Sequence, residues 1–476
     1  MRKAVVPFSL VAASLLAGCP DHTISKVTTV QSGAVTKEIP VEADLDILFV
    51  IDNSASTADK QTVFAQNFPN FVAALDAFPG GRPNLHIGVT SSSVSIGNSD
   101  VAAFGMACVT GDDGELQNIA RPMSGCSAAM GQPEMTGYYL SDIKNGSGSD
   151  RTVNYTDTLG TALSCIAQLG TSGCGFEAQL EGMKRALDGS NPHNAGFIRP
   201  GAYLAVIILT DEDDCSIKDS SIFNLGSAAS GPGDFRCQPL YAYQCDQQIS
   251  PSQPGTYTNC KPASGNQSPY LQDTTAYFNF LAGIKDPSQI VVATIAGDVT
   301  STMVMTGPLT YPFAQTLALQ PSCMATINGN EAIARPGVRL QDFTNQFGSR
   351  GLYSSVCQSD YSGALTQIGQ LLFNAISPCL EGDLDTADTD PNNPGIQPQC
   401  TVADVLDSGG SNQVSTLIPT CPMTNATTPD PNGPRPCWWV ASSPTTCMTP
   451  SMLSLNVVRT TPAATGTTEE VSCAVD

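Results

Sequence analysis

The segment that decides the fold is ILFVIDNSAS at residues 47–56. Its first five residues are apolar and mostly β-branched or aromatic, which is typical of a strand buried on both faces of a sheet. Residues with oxygen-bearing side chains follow at once: Asp52, Ser54 and Ser56. A strand that ends in this way predicts a functional edge of the sheet, because parallel α/β sheets bind their ligands at the carboxyl ends of the strands.

Similar apolar runs recur along the chain and alternate with helical patterns. Strands are predicted at 85–89, 203–209, 290–295 and 351–356, and helices at 57–78, 176–188, 270–285 and 361–377. Strands that alternate with helices indicate a mostly parallel central sheet with helices on both faces. We therefore predict an α/β domain over residues 44–378.

Two stretches rich in Gly, Ser, Asp and Cys interrupt this alternation, at about 91–160 and 215–268. We expect both to be disulfide-pinned insertions. Residues 379–398 are acidic and rich in Pro and Asn, which predicts a linker. Residues 399–476 contain several cysteines, both tryptophans and short β-like runs, so we expect a small disulfide-rich β domain there.

The ends of two predicted strands carry a specific set of oxygen ligands. Asp52, Ser54 and Ser56 form an Asp-x-Ser-x-Ser pattern, and a threonine and Asp211 follow the strand at 203–209. This combination resembles the metal-ion-dependent adhesion site of von Willebrand factor type A domains, over the predicted α/β domain outside its two insertions. The alternative is that Asp52 and Ser54 only cap the following helix.

In that family a threonine on the loop before the third helix completes the site. The loop GTSGCG at residues 170–175 occupies this place, so the resemblance implies Thr171, with Ser172 as the alternative. The chain departs from the family pattern at Ala55 and Glu212, where the family often has glycine. It is also similar to cysteine-rich surface lipoproteins of myxobacteria in its motifs TDEDDCS and GCGFE.

The resemblance implies a bound divalent cation. Mg²⁺ is the expected ion, because it prefers about six oxygen ligands, and Mn²⁺ or Ca²⁺ would also fit. Serine hydroxyl groups are neutral ligands and leave the ion with much of its positive charge. By the family's mechanism a carboxylate of the partner fills the last coordination position. The expected partner is therefore a protein or glycan with an exposed carboxylate.

Other acidic residues could hold a second ion. Asp213 and Asp214 follow the second of these strand ends, and the alternative for them is a solvated acidic rim. The predicted linker could bind calcium or be plainly solvated, and its spacing lacks the central glycine and the twelfth-position glutamate of an EF-hand. Its four aspartates are Asp383, Asp385, Asp388 and Asp390.

The N-terminus indicates export and a lipid anchor. Residues 1–18 combine a positive start with a short apolar run, as in a signal peptide. The run ends in LLAGC, which looks like a bacterial lipobox with Cys19 as the lipidated residue. Residues 19–43 predict a flexible tether, and no later segment has the ~18 apolar residues of a membrane helix. We expect a location in the cell envelope, at the outer rather than the inner membrane.

Cysteine usage is typical of an oxidising compartment. There are 17 cysteines, and setting Cys19 aside leaves an even number for disulfides. Pairing neighbours in sequence predicts Cys108–Cys126, Cys165–Cys174, Cys215–Cys237, Cys245–Cys260, Cys323–Cys357, Cys379–Cys400, Cys421–Cys437 and Cys447–Cys473. With 3 histidines and no CxxC pair, the sequence does not indicate a structural zinc site.

The charge and the motifs narrow the function. The net charge is −22, and loss of Arg2 and Lys3 with the signal peptide makes it more negative. Nucleic-acid binders present basic faces, so nucleic acid is not an expected partner. The sequence has no GxSxG, HExxH or P-loop motif, and we expect no enzyme activity. Metal-dependent capture of an acidic group is the expected function. The alternatives are a constitutive structural component of an envelope assembly and a metal-dependent hydrolase.

Overall fold

The computed structural model describes residues 34–40, 44–78, 81–96, 110–120, 126–145, 150–224, 236–299, 303–308, 317–327, 329–386, 390–406, 408, 413–444, 447, 449–461, 463–464 and 467–475. The predicted signal peptide and Cys19 lie outside the described residues, as do Cys108 and Asp388. No helix within these ranges is both long and apolar enough to cross a membrane.

The helices and strands of these residues have the following bounds. The helices are α1 Ala58–Gln66, α2 Phe68–Asp76, α3 Leu159–Ala167, α4 Gln179–Leu187, α5 Thr274–Ile284, α6 Val338–Asn345 and α7 Ser362–Ile376. The strands are β1 Ala34–Pro40, β2 Asp44–Ile51, β3 Asn84–Ser91, β4 Leu140–Lys144, β5 Arg151–Val153, β6 Tyr203–Leu209, β7 Tyr243–Gln244, β8 Gly255–Thr258, β9 Lys261–Pro262, β10 Ile290–Ala296, β11 Met303–Pro308, β12 Leu317–Leu319, β13 Cys323–Ile327, β14 Asn330–Ala334, β15 Gly351–Ser355, β16 Cys400–Leu406, β17 Val414–Ile418, β18 Met423–Asn425, β19 Thr428–Pro429, β20 Cys437–Ser442, β21 Leu453–Val458 and β22 Thr467–Ala474.

A seven-stranded sheet with the order β15-β10-β6-β2-β3-β4-β5 forms the centre of the α/β domain. All neighbouring strands from β15 to β3 are parallel. The apolar run of β2 serves both faces of this sheet, because successive side chains of a strand point to opposite sides. Phe49 packs in the core on one face, and Leu48 and Val50 pack in the core on the other. The predicted α/β class with a mostly parallel sheet is confirmed.

Strands β4 and β5 come from the stretch that we expected to be an insertion. They extend the central sheet with antiparallel pairs. Asp142 of β4 is buried, pairs with Arg151, and accepts hydrogen bonds from Arg82 and Tyr155 at 2.7 and 2.8 Å. Because a charged residue, Asp142, takes a buried position on β4 beside the apolar Leu140, the sequence shows no strand-like alternation there.

The predicted helix at 57–78 is two helices, α1 and α2, that meet at Asn67. Pro69 lies in the first turn of α2, where a proline costs no helical hydrogen bond. Both helices pack on the central sheet, with the rings of Phe64 and Phe68 at 5.9 and 5.3 Å from the ring of Phe49. The break therefore keeps one aromatic core beneath two short helices.

The C-terminal unit is built on a four-stranded antiparallel sheet with the order β1-β22-β16-β17. Residues 34–40, which we expected in a flexible tether, form β1 and pair along their whole length with β22. The expected linker also packs here, since Leu380 and Leu384 belong to the core of this unit. The unit therefore includes residues from both ends of the chain and is not confined to 399–476.

Four predicted disulfides are present in the structure: Cys215–Cys237, Cys245–Cys260, Cys323–Cys357 and Cys421–Cys437. Two other predictions are wrong, because Cys126 is bonded to Cys165. That bond excludes both Cys108–Cys126 and Cys165–Cys174, and Cys174 is disulfide-bonded as well. The bond ties α3 to a loop 39 residues earlier in the chain.

Two further disulfides, Cys379–Cys447 and Cys400–Cys473, replace the predicted Cys379–Cys400 and Cys447–Cys473. Strand pairing explains the second of them. Cys400 of β16 lies directly opposite Cys473 of β22, with Cα atoms 4.0 Å apart. Nearness in sequence fails here because antiparallel strands bring distant cysteines into bonding distance.

Lys37 joins β1 to the α/β domain. Its side chain is 4% exposed, and its ammonium donates hydrogen bonds of 2.9 Å to the carbonyl oxygens of Asn374, in α7, and Cys379. Burial lowers the pKa of Lys37 to about 8. A buried ammonium with two carbonyl partners thus links β1 to the end of α7 and to Cys379.

We predict that the stability contributed by Lys37 rises with pH. The pKa of a lysine in an unfolded chain is about 10.4, so between about pH 8 and pH 10 the unfolded state binds more protons than the folded state. The free energy of unfolding of the natural chain, relative to Lys37→Met, should therefore increase from about pH 7 to about pH 10. Denaturant titrations of both proteins at the two pH values measure this difference. A difference that is constant or falls would contradict the assignment.

Candidate metal centre

The candidate site lies at the carboxyl ends of β2 and β6, which are neighbours in the central sheet. From β2 the next strand toward one edge of the sheet is β3, and from β6 the next strand toward the other edge is β10. In open α/β sheets the point where strand order reverses leaves a crevice, and ligands bind there. Asp52 is the first residue after β2, and Asp211 is the second after β6.

The structure brings four of the predicted ligands together. The hydroxyl oxygens of Ser54 and Ser56 are 3.3 Å apart, and Ser56 Oγ donates to Asp211 Oδ1 at 3.1 Å. The backbone N–H of Ser54 donates to Asp52 Oδ1 at 2.8 Å. The helix-cap alternative finds no support, because the N-cap of α1 is Thr57 and no side chain accepts a hydrogen bond from the first turn.

Asp52 is held from several sides. Thr210 Oγ1 donates to Asp52 Oδ2 at 2.7 Å, and Ser92 Oγ, beyond the end of β3, lies 3.4 Å from Asp52 Oδ1. Gln179 of α4 in turn donates to Thr210 Oγ1 at 2.8 Å. Burial, and then the charge of Asp211, raises the pKa of Asp52 to about 6. The hydrogen bonds from Thr210 and Ser92 keep the carboxyl group of Asp52 in one orientation.

The loop that carries Thr171 borders the crevice. The N–H of Gly173 donates to the carbonyl oxygen of Asn53 at 2.8 Å. A Cβ atom on Gly173 would lie 2.0 Å from Asn53 Oδ1, so only glycine permits this approach. Thr171 and Ser172 are both exposed on this loop, and Thr171 makes no hydrogen bond to Asp52 or to the other three predicted ligands.

Two charged residues of the crevice were not predicted from the sequence. The ammonium of Lys60, in α1, lies 2.7 Å from Asp211 Oδ2 and donates to the carbonyl oxygen of Ser56 at 3.1 Å. Glu177 is buried, and its pKa is raised well above the usual value by burial and then by Glu212 and other carboxylates of the crevice. The sequence could have predicted Lys60, because it follows Ser56 by four residues, a spacing that brings two side chains together on a helix. No sequence pattern indicated Glu177, since only the folded chain brings it close to the crevice.

Asp213 and Asp214 do not form a solvated rim, since both are fully buried, and their oxygens are engaged by other groups of the chain. Asp213 accepts hydrogen bonds from the N–H groups of Arg339 and Leu340 in the first turn of α6. Asp214 accepts from the N–H of Leu180 in the first turn of α4 and pairs with the guanidinium of Arg339 at 2.9 Å. Their oxygens serve helix N-termini, which favour negative charge.

The predicted calcium site of the linker stays a prediction, because one of its four aspartates, Asp388, lies outside the described residues. Asp383, Asp385 and Asp390 do not bring three ligand atoms within 4.8 Å of one another. Asp385 instead accepts a hydrogen bond from Gln399 Nε2 at 2.7 Å, and Asp390 accepts from the N–H of Asn392 at 3.0 Å. These residues fix local turns and strand ends.

The donor set of the crevice fits a hard divalent cation. Asp52, Ser54, Ser56 and Asp211 offer carboxylate and hydroxyl oxygens, the ligands that Mg²⁺, Mn²⁺ and Ca²⁺ prefer. Sulfur and imidazole ligands, which favour zinc or copper, are absent from these four residues. The residues that would hold the ion come from two neighbouring strand ends and can surround it from two sides.

No protein-family model and no curated protein match the chain. Solved structures with some similarity include the pilus adhesin SpaC from Lactobacillus rhamnosus GG in its open conformation (TM-score 0.31, 10% identity), a von Willebrand factor type A structure from Catenulispora acidiphila (0.27, 9%) and the pilus adhesin RrgA from Streptococcus pneumoniae (0.23, 10%). The matches cover 93%, 94% and 93% of this chain, which spans 40%, 66% and 58% of those chains. Likenesses this weak carry no inference about function. The sheet and helices described above are consistent with a von Willebrand factor A-like fold with disulfide-rich additions.

We predict that Thr210→Val destabilises the protein by about 1–3 kcal/mol, because it leaves the buried carboxylate of Asp52 without its shortest hydrogen bond at nearly unchanged side-chain volume. The free energy of unfolding from denaturant titration measures this loss. Thr62→Val is the matched control, since the exposed hydroxyl of Thr62 bonds only to the carbonyl oxygen of Ala58. Equal effects of the two substitutions would show that Thr210 does not position Asp52.

Proposed function

We propose that the chain is a binding protein of the cell envelope that captures an acidic group of a protein or glycan partner through a divalent cation. The observation that carries this proposal is the cluster of Asp52, Ser54, Ser56 and Asp211 at adjacent strand ends. The cation, with Mg²⁺ as the expected ion, supplies an electrophilic coordination position for a carboxylate. The four side chains would hold the ion in place and would leave part of its positive charge uncompensated.

The charges of the crevice favour an acidic ligand. Asp52 and Asp211 carry two negative charges, and the ammonium of Lys60 offsets one of them. Glu212 is neutralised by Arg335, whose Nη1 lies 2.6 Å from its Oε1. The raised pKa of Glu177 favours its neutral form. With Asp52 and Asp211 ionised, a bound divalent cation would therefore change the net charge of the crevice from one negative to one positive. One carboxylate from a partner would then neutralise it.

The residues have distinct roles in this proposal. Ser54 and Ser56 are the neutral ligands, Asp52 and Asp211 are the anionic side of the site, and Thr171 on the adjacent loop completes it. Lys60 is a positioning residue: its ammonium pairs with Asp211 and offsets part of the negative charge of that carboxylate. This leaves the ion with charge for its partner, because fewer anionic ligands neutralise it.

Export and lipid anchoring are part of the proposal. The lipobox at Cys19 and the paired cysteines support a location in an oxidising compartment, on the outer membrane. Disulfides persist there and are rare in the cytosol. A binding site on such a protein would face partners in the periplasm or outside the cell.

Asp52→Asn should weaken cation binding more than about 10-fold while the protein stays folded, because it removes one anionic group and keeps the side-chain shape. Isothermal titration with Mg²⁺, Mn²⁺ and Ca²⁺ measures the affinity, and circular dichroism checks the fold. Asp46→Asn is the matched control: Asp46 is a buried aspartate near the other end of β2 that pairs with Arg199 at 2.7 Å. Absence of binding to the natural chain would refute the metal-dependent function.

Thr171→Ala should also reduce cation affinity, whereas Ser172→Ala should leave it unchanged. Both residues are exposed on the same loop, so the two variants differ only in which hydroxyl reaches the site. The same titration distinguishes them. A loss confined to Ser172→Ala would transfer the role to Ser172, and no loss in either would remove this loop from the site.

Partner capture tests the second half of the proposal. Immobilised peptides and acidic glycans, with and without a free carboxylate, should bind only in the presence of the cation and should be released by a chelator. Capture of neutral probes, or retention after chelation, would contradict a metal-bridged carboxylate. A complex isolated from the cell that survives chelation would identify a constitutive component of an assembly instead.

A further inference from the structure

Glu134 is a buried acidic residue that is not among the predicted ligands of the β2–β6 crevice. Its side chain is 5% exposed, and neither carboxyl oxygen has a hydrogen-bond partner. Buried polar groups are almost always hydrogen-bonded, so an unpartnered carboxyl group is unusual. Its backbone is fixed on both sides, because Pro133 pairs with Ile119 and Met135 pairs with Tyr155. The backbone on both sides of Glu134 is thus fixed, and this limits where its carboxyl group can lie.

The neighbours of this carboxyl group are two sulfur atoms. A carboxyl oxygen of Glu134 and the Sγ atoms of Cys126 and Cys165 all lie within 4.8 Å of one another. The two cysteines are joined as a disulfide, with Cα atoms 5.9 Å apart. Cys165 is buried in α3, and Cys126 is partly exposed on its loop. Within the described residues, no other group of three Cys, His, Asp or Glu side chains is so close.

A second carboxylate lies beside Glu134. Asp157 accepts a hydrogen bond of 2.7 Å from the N–H of Ser127, the residue after Cys126, and a second from the hydroxyl of Ser127. Burial, and then the proximity of Asp157, raises the pKa of Glu134 to about 7. The carboxyl group of Glu134 therefore lies beside both sulfurs and has a second carboxylate next to it.

We propose that the reduced form of this cluster is a binding site for a thiophilic divalent cation, with Zn²⁺ as the ion it fits, and that metal binding and the Cys126–Cys165 disulfide exclude each other. Zinc in proteins takes four ligands from cysteine sulfur, histidine nitrogen and carboxylate oxygen. Cys126, Cys165 and Glu134 supply three of them, and a water supplies the fourth. Mg²⁺ and Ca²⁺ prefer oxygen alone, so this site and the crevice select different ions.

The redox step balances with a dithiol as reductant. The dithiol loses two electrons and two protons and becomes a disulfide, while the Cys126–Cys165 bond breaks and each sulfur takes one proton. Zn²⁺ then binds the two sulfurs as thiolates and releases both thiol protons to water. In the reverse direction, an oxidising disulfide would form the Cys126–Cys165 bond and expel the ion.

Residue-specific alkylation tests this proposal on the whole chain. The protein is reduced with dithiothreitol under native conditions, freed of reductant without oxygen, and treated with iodoacetamide with or without Zn²⁺. Mass spectrometry of peptides then gives the extent of alkylation at each cysteine. We expect Zn²⁺ to slow alkylation of Cys126 and Cys165, and Glu134→Gln to weaken this protection about 10-fold.

The other disulfides provide the control within the same sample. Cys323 and Cys357 are also bonded and partly exposed, but no carboxylate completes a cluster with them. Zn²⁺ should leave their alkylation unchanged. Equal protection of both pairs, full protection in Glu134→Gln, or a Cys126–Cys165 bond that resists native reduction would each overturn the proposal. Asp52→Asn should keep the protection, which separates this site from the crevice.

Discussion

The parallel register of β2 between β3 and β6 is the constraint on which the candidate site depends. Ile51 lies opposite Leu209, so the next residues along each strand, Asp52 and Thr210, leave the sheet at the same level. Their side chains meet in a hydrogen bond of 2.7 Å. A shift of the register by one residue would turn the side chains to the other face. The buried apolar side chains on both faces of β2 prevent that shift, because either face would lose its core contacts.

The acidic run after β6 shows how neighbouring residues of one type take different roles. Asp211 points into the crevice and contacts Ser56, whereas Asp213 and Asp214 turn into the interior and accept hydrogen bonds from the N-termini of α6 and α4. The two buried aspartates therefore fix the helices on either side of the strand end. The crevice is thus held in shape in part by residues that are not among its predicted metal-binding side chains.

The features that could be predicted from the sequence are those determined by residues close to one another in the chain. The strand ends with Asp52 and Asp211 could be predicted because a buried parallel strand is apolar along its whole length and the residue after it is placed by the sheet alone. The strand β1 could not, because its partner is at the opposite end of the chain and its buried Lys37 hides the alternation. The same holds for the Cys400–Cys473 bond and for Glu177, which depend on contacts between distant segments.

The pairing of β1 with β22 has a mechanical consequence. If Cys19 carries a lipid and the crevice holds a ligand, a pull on the ligand is transmitted to the membrane through β1, the strand nearest the anchor among those described. The hydrogen bonds between β1 and β22 and the ammonium of Lys37 are then the first bonds under tension. The force that the attachment withstands would then be set at this sheet edge. The affinity for the ligand would be set in the crevice, so the two properties could change independently of each other.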